Sequence, residues 1–266
     1  MERWLLLRLE AAGIGAEAHV NGMPVARLGA AGGRVVVAVH EYTLTGSNRL
    51  SLVIAPRIAP ADAALPIEPR IATAGQRARL ELALALEGQA ATDANTRVLA
   101  TLAWQPKEDE SFEAPLELHH DVNLPVTFLR WRWLDAPPVP ESPAVTRLAL
   151  EFVQRLAVDF ARGDAERYLA AARLRFDELA LAYRRTSAEL VQQFKDRLQA
   201  LYAARTLVIV PPTAADLQLR RVAQGRLIEC VGPTGEPVLR STAPDGATHA
   251  WPLRLAVVEN KLYVLR

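Results

Sequence analysis

His119, His120 and Asp121 are the densest set of metal-capable donors in the chain. Neighbouring side chains of a strand point to opposite faces, so both imidazoles reach one ion only if the backbone bulges. No other histidine is close in sequence, and no metal is expected there. Cys230 is the single cysteine and stands in the apolar run Leu227–Val231, which reads as a buried, structural thiol. One cysteine also excludes an internal disulfide. No Gly-x-Ser-x-Gly elbow supplies a nucleophile. The glycines at 13, 15, 29, 32 and 33 lack the lysine and hydroxyl residue of a phosphate loop. No cofactor is therefore expected.

The C-terminal half offers candidates for ligand contact. His249 and Trp251 are two apart and share one face of an expected strand. Arg173 and Asp177 are four apart on an expected helix whose apolar stripe ends at Tyr183. Around a pocket, His249 would serve as a base, with Tyr183 or Arg173 as the electrophile, in a proton transfer. The simpler alternative makes Arg173 and Asp177 an exposed ion pair and puts Trp251 in the core. Trp131 and Trp133 pose the same choice, between packing and an aromatic platform for a ligand.

These residues need elements to hold them, and the pattern changes along the chain. Residues 1–134 read as β. Trp4–Glu10, Ala16–Val20, Met23–Leu28, Arg34–His40, Arg49–Ile54, Arg79–Leu86, Val98–Trp104 and Leu124–Trp133 alternate or are β-branched. Asn21-Gly22 suits the positive φ values of a tight hairpin turn. Residues 135–143 hold prolines at 137, 138, 140 and 143 and form a stiff linker. Residues 144–266 begin with three expected helices. Ser142-Pro143 starts the first, and Gly163 ends it. The second carries the stripe Tyr168, Ala172, Phe176, Leu179, Tyr183. Thr186-Ser-Ala-Glu189 is a capping box for the third. Strands are expected at Thr206–Val210, Leu217–Val222, Arg226–Val231, Pro237–Ser241, Trp251–Val258 and Lys261–Leu265. The fold class is thus a mainly β N-terminal sandwich followed by an α+β domain, three helices and then a curved antiparallel sheet.

Two resemblances enter on these residues. His19-Val-Asn-Gly-Met-Pro-Val25, Val35–Val39 and Tyr42-Thr-Leu-Thr-Gly-Ser-Asn-Arg-Leu-Ser-Leu-Val-Ile54 resemble the galactose-binding-like jelly-roll domains, with their "VNG" followed by "GxNxLxL". That likeness covers about residues 1–56 and implies a fold rather than sugar binding. The helices followed by Trp251–Leu265 resemble the nuclear-transport-factor-like, or SnoaL-like, cone fold. It implies a helical layer and a bent sheet around a pocket, in a fold that hosts isomerases, dehydratases and binding modules.

Composition bounds the rest. The 266 residues are 50% hydrophobic and 23% charged, enough to bury a core. Basic and acidic residues balance at 31 and 30, so no basic field invites nucleic acid. Only three of the basic residues are lysines, a bias expected of a GC-rich bacterial genome. Apolar runs fall far short of the roughly 20 residues that span a bilayer, and Glu2 and Arg3 precede a run too short for a secretory signal. The expectation is a soluble, cytoplasmic protein that contacts neither nucleic acid nor membrane. Its expected role is non-catalytic binding or assembly through contacts with an unidentified protein partner or with further copies of itself. The alternative is a small-molecule binding protein, or an enzyme of isomerase or dehydratase type, using a pocket in the C-terminal domain. A carbohydrate-binding module is the third reading.

Overall fold

The computed structural model describes residues 3–57, 67–86, 95–124, 127–243, 246 and 248–266. It is rich in antiparallel sheet, with its helices confined to the C-terminal part and followed there by further strands. The chain divides into two compact units, one built on Met1–Arg57 with Leu65–Arg130 and the other on Trp131–Arg266.

The first unit contains β1 (Arg3–Ala12), β2 (Ala16–Val20), β3 (Met23–Leu28), β4 (Gly33–Ala38), β5 (Gly46–Ile54), β6 (Glu68–Ile71), β7 (Arg77–Leu86), β8 (Thr96–Trp104), β9 (Ser111–Ala114) and β10 (Leu116–Leu124). Two four-stranded antiparallel sheets form in the orders β4-β1-β7-β8 and β10-β5-β2-β3. Period-two patterning decides which face each strand buries. Leu5, Leu7 and Leu9 of β1, Leu80 and Leu82 of β7, and Leu50, Leu52 and Ile54 of β5 all lie inside. Ala16 and Ala18 of β2 are also fully buried. β6 and β9 pair separately, at positions where the sequence analysis expects no strand.

The Asn-Gly and Gly-Ser-Asn segments are one hydrogen-bonded latch. Asn21 and Gly22 take φ values of 53° and 75°, as the tight turn requires. The buried Asn21 amide donates to the Tyr42 carbonyl at 2.8 Å and to Asn48 Oδ1 at 2.9 Å. Its own oxygen accepts the Arg49 N–H at 2.9 Å. Asn48, also buried, donates to the Leu44 and Gly46 carbonyls and accepts the Leu44 N–H at 2.7 Å. Cutting Asn48 back to alanine strands these buried partners, so Asn48→Ala lowers the stability of the first unit by about 1–3 kcal/mol in urea unfolding. An unchanged urea midpoint would remove the latch from this account.

The second unit contains α1 (Pro143–Ala161), α2 (Glu166–Ala171), α3 (Arg173–Tyr183), α4 (Ser187–Ala203), β11 (Gln218–Val222), β12 (Leu227–Val231), β13 (Arg240–Thr242), β14 (Thr248–Ala250), β15 (Leu253–Val258) and β16 (Lys261–Val264). Ser142 Oγ accepts the Val145 N–H at 3.2 Å and starts α1, with Pro143 in its first position. Gly163, at φ 72°, follows the end of that helix. The capping box forms in both directions between Thr186 and Glu189. The sheet runs β11-β12-β15-β16, with β13 and β14 as a separate pair.

Four sequence expectations are corrected here. The second helix is two, because Ala172 (φ −97°, ψ 6°) ends α2 and α3 starts anew. The break turns Tyr168 and Phe176 edge-to-face, with centroids 6.4 Å apart. Trp131 and Trp133 do not lie on a strand: β10 stops at Leu124, and Trp131 precedes a 3-10 turn at Arg132–Leu134 that contains Trp133, with both side chains fully buried. Among the described residues Thr206–Val210 belongs to no sheet, and the Pro237–Ser241 strand shrinks to Arg240–Thr242 beyond an isolated bridge at Pro237.

Candidate functional site

The residues singled out from the sequence take separate places. Trp251 is buried in a cluster of rings from α1, α2, α3 and α4. Phe160 stands edge-on to it at 5.1 Å and to Tyr168 at 5.5 Å, while Tyr168 stacks on Phe194 at 4.7 Å. Phe176 and Phe194 close the group at 5.9 Å. These rings fill the interior between helices and sheet. His249 is half-buried on β14, opposite Ser241 of β13. Asp177 accepts a hydrogen bond from Ser187 Oγ at 2.9 Å, which ties α3 to the start of α4. Arg173 is exposed, and among the described residues it makes no ion pair with Asp177. Tyr183 is half-buried at the end of α3. The structure therefore joins Trp251 to the core and Asp177 to a helix junction, and among the described residues no contact brings His249 to Asp177 or Arg173.

Charged groups meet elsewhere, in places the sequence did not mark. Glu178 of α3 is 5% exposed. One of its oxygens accepts the Arg132 N–H at 2.5 Å, and the other accepts Arg266 Nη1 at 2.5 Å. The Arg266 guanidinium also lies over the Trp131 ring, 5.5 Å from its centre. A single carboxylate thus holds the 3-10 turn, α3 and the residue beyond β16. On the sheet, Glu229 lies between Arg220 and Arg254, its register neighbours on β11 and β15, at 3.0 Å from each. In the first unit Glu17 takes Arg27 at 2.6 Å and His19 at 3.2 Å.

His119 and His120 are exposed on β10 and stand opposite Ser51 and Leu50, on alternate faces of the strand. Arg49 holds the Asp121 carboxyl below its ordinary range through a hydrogen bond at 2.8 Å. Among the described residues, no three His, Cys, Asp or Glu side chains gather as metal ligands would. Burial pushes the Cys230 thiol well above its ordinary value. The folded chain is accordingly inert to a thiol-specific disulfide reagent at mildly alkaline pH and gives one equivalent of thiol once unfolded. Fast labelling of the native protein would contradict this burial.

Two concavities are lined by described residues. A groove of about 410 Å³ in the first unit is lined by Glu10, Arg34, Arg77 and Arg79. Glu10 pairs with Arg34 at 3.0 Å, and Glu81 pairs with Arg79 at 2.6 Å. A cavity of about 630 Å³ in the second unit lies between the start of α1 and the edge strand β11. Its walls are mostly apolar, with Val145, Leu150, Leu217 and Ile228 beside Arg221. Arg221 is itself held by the Val139 carbonyl at 2.7 Å and by Glu141 at 3.1 Å.

Apolar side chains are also exposed near the end of α4. Val208, Val210 and Tyr202 are exposed around the chain that leaves α4. The sequence shows the β-branched run there, but nothing in it shows that the run has no sheet to join. Among the described residues, no helix is long and apolar enough to cross a membrane. Compared with protein-family models, curated proteins and solved structures, the chain matches none.

Proposed function

We propose that this chain is a non-catalytic binding or assembly module that works through protein contacts. The observation that carries the reading is the exposure of Val208 and Val210 on the uncharged stretch Thr206–Pro212, with Tyr202 exposed near the end of α4. Contiguous apolar surface on a folded protein marks an interaction site more often than idle exposure. The buried charges are consistent with this role, because Glu178, Glu229 and Glu17 are occupied by arginines that hold elements together. The finer fold readings belong to the same proposal. A jelly-roll first unit is supported by its two four-stranded antiparallel sheets and the Asn21–Asn48 latch. A cone-like second unit is supported by a helical layer against a four-stranded sheet. The test is affinity capture by the tagged full-length chain from extracts of its native host, beside a Val208→Lys/Val210→Lys variant. A partner recovered by the parent chain and lost from the variant is the expected result. Recovery of no partner, together with turnover of a small molecule by the purified chain, would reject the reading.

A second reading, a small-molecule binding protein using the C-terminal unit, is favoured by the cavity beside β11. Its volume of about 630 Å³ falls in the range of roughly 300–1,000 Å³ usual for ligand sites. It is lined by neither His249 nor Asp177, so proton transfer by those groups is no part of this second reading.

A further inference from the structure

The cavity beside β11 sets an apolar interior against a positive rim. Val145, Leu217, Leu219 and Ile228 line it, and all four belong to the buried core of the second unit. β11 is an edge strand bonded to β12, and among the described residues no further strand lies along its other side. The charged residues that line the cavity are Glu141, Arg147 and Arg221. Arg221 is taken up by Glu141 at 3.1 Å and by the Val139 carbonyl at 2.7 Å. Arg147 is exposed on α1 and makes no ion pair among the described residues. Glu151, the acid one turn further along the helix, pairs instead with Arg155 at 3.5 Å. The first turn of α1 holds no acid of its own, so the partial positive charge of the helix start adds to that of Arg147.

We infer that this cavity takes a small molecule with an apolar body and a single carboxylate. The body lies against Val145, Leu217, Leu219 and Ile228, and the carboxylate meets Arg147 at the rim. The inference rests on the small-molecule reading above and names its ligand class.

Charge selects this class. Two arginines against one glutamate leave one cation over, and a guanidinium offers a carboxylate two parallel N–H donors. A cationic ligand would meet Arg147, Arg221 and the positive end of α1 together. A neutral ligand gains the apolar contacts alone. A second charge on the ligand body would be stripped of water against apolar walls without a partner. The exposed position of Arg147 lets the carboxylate keep part of its hydration while the body enters the cavity.

The experiment titrates the full chain with hexanoate, hexan-1-ol and hexylammonium, which share one apolar body and differ in charge, and follows the backbone amides of Thr146, Arg147 and Ala214 by NMR. The expected result is that hexanoate moves these amides and binds at least about tenfold more tightly than hexan-1-ol, as a hydrogen bond to a charged group allows. Hexylammonium is expected to bind most weakly. Arg147→Ala should bring hexanoate to the level of the alcohol and leave the alcohol unchanged. Ala214→Trp, which fills the mouth from an exposed position, should weaken acid and alcohol alike by at least about tenfold. Both positions are exposed, so circular dichroism is expected to stay that of the parent chain. Equal affinity for hexanoate and hexan-1-ol overturns the inference and leaves the small-molecule reading in place, and so does an Arg147→Ala variant that binds hexanoate as the parent does. If none of the three probes moves these amides, the cavity is no ligand site, and the reading and the inference fall together.

Discussion

Glu178→Ala is expected to destabilise the second unit by about 3–5 kcal/mol, the usual cost of leaving one member of a buried ion pair without the other. The substitution strands the Arg266 guanidinium, which is fully buried, and removes the acceptor of the Arg132 N–H. The 3-10 turn that buries Trp131 and Trp133 loses its tie to α3 at the same moment. Chemical unfolding followed by tryptophan fluorescence reads the loss directly, because the Trp131 ring sits against the Arg266 guanidinium. The sign of the double replacement is informative. Glu178→Leu with Arg266→Met removes both charges, and buried pairs replaced by apolar groups of similar volume often lose little. The double variant is expected to recover at least half of the lost stability. If Glu178→Ala unfolds at the same denaturant concentration as the parent, the carboxylate is not what holds these three segments.

Phe160→Ala is expected to cost the same unit about 3–5 kcal/mol through a cavity that its neighbours cannot collapse to fill. Phe160 is fully buried and touches Tyr168, Phe194 and Trp251, which come from α2, α4 and the approach to β15. Its loss therefore loosens helices and sheet together, and the thermal transition should fall and broaden. Phe160→Leu keeps much of the volume and should cost only about 1.5 kcal/mol or less. Similar losses for the two variants would mean that the rings are not packed as the structure has them.

Much of the architecture is legible from local chemistry. Alternation in β1, β5 and β7 fixes which leucines turn inward. Asn21-Gly22, Ser142-Pro143 and the Thr186–Glu189 box mark a turn and two helix starts by hydrogen bonds spanning a few residues. What stays hidden is long-range or depends on a backbone angle. Ala172 is an ordinary helix former, so nothing in its type announces the break between α2 and α3. Glu178 and Arg266 are 88 residues apart, and neither stands in a motif. Trp131 and Trp133 have period-two spacing, and a 3-10 turn can bury both rings as well as a strand can. Thr206–Val210 has the right residues for a strand, but pairing is decided by what lies alongside, and Ser241 satisfies only part of its backbone. Spacing within single elements suggests the candidate ligand group around His249, but it says nothing about whether separate elements converge.

Buried charge secures the fold at Glu178, Glu229 and Glu17, and the proposed role assigns the contacts to the exposed valines at 208 and 210. The most direct test is quantitative capture of protein partners by two full-length variants at matched concentration, with the parent chain as reference. Folded Glu178→Leu/Arg266→Met should retain capture, and folded Val208→Lys/Val210→Lys should lose it. Loss in the first and retention in the second would contradict the claim.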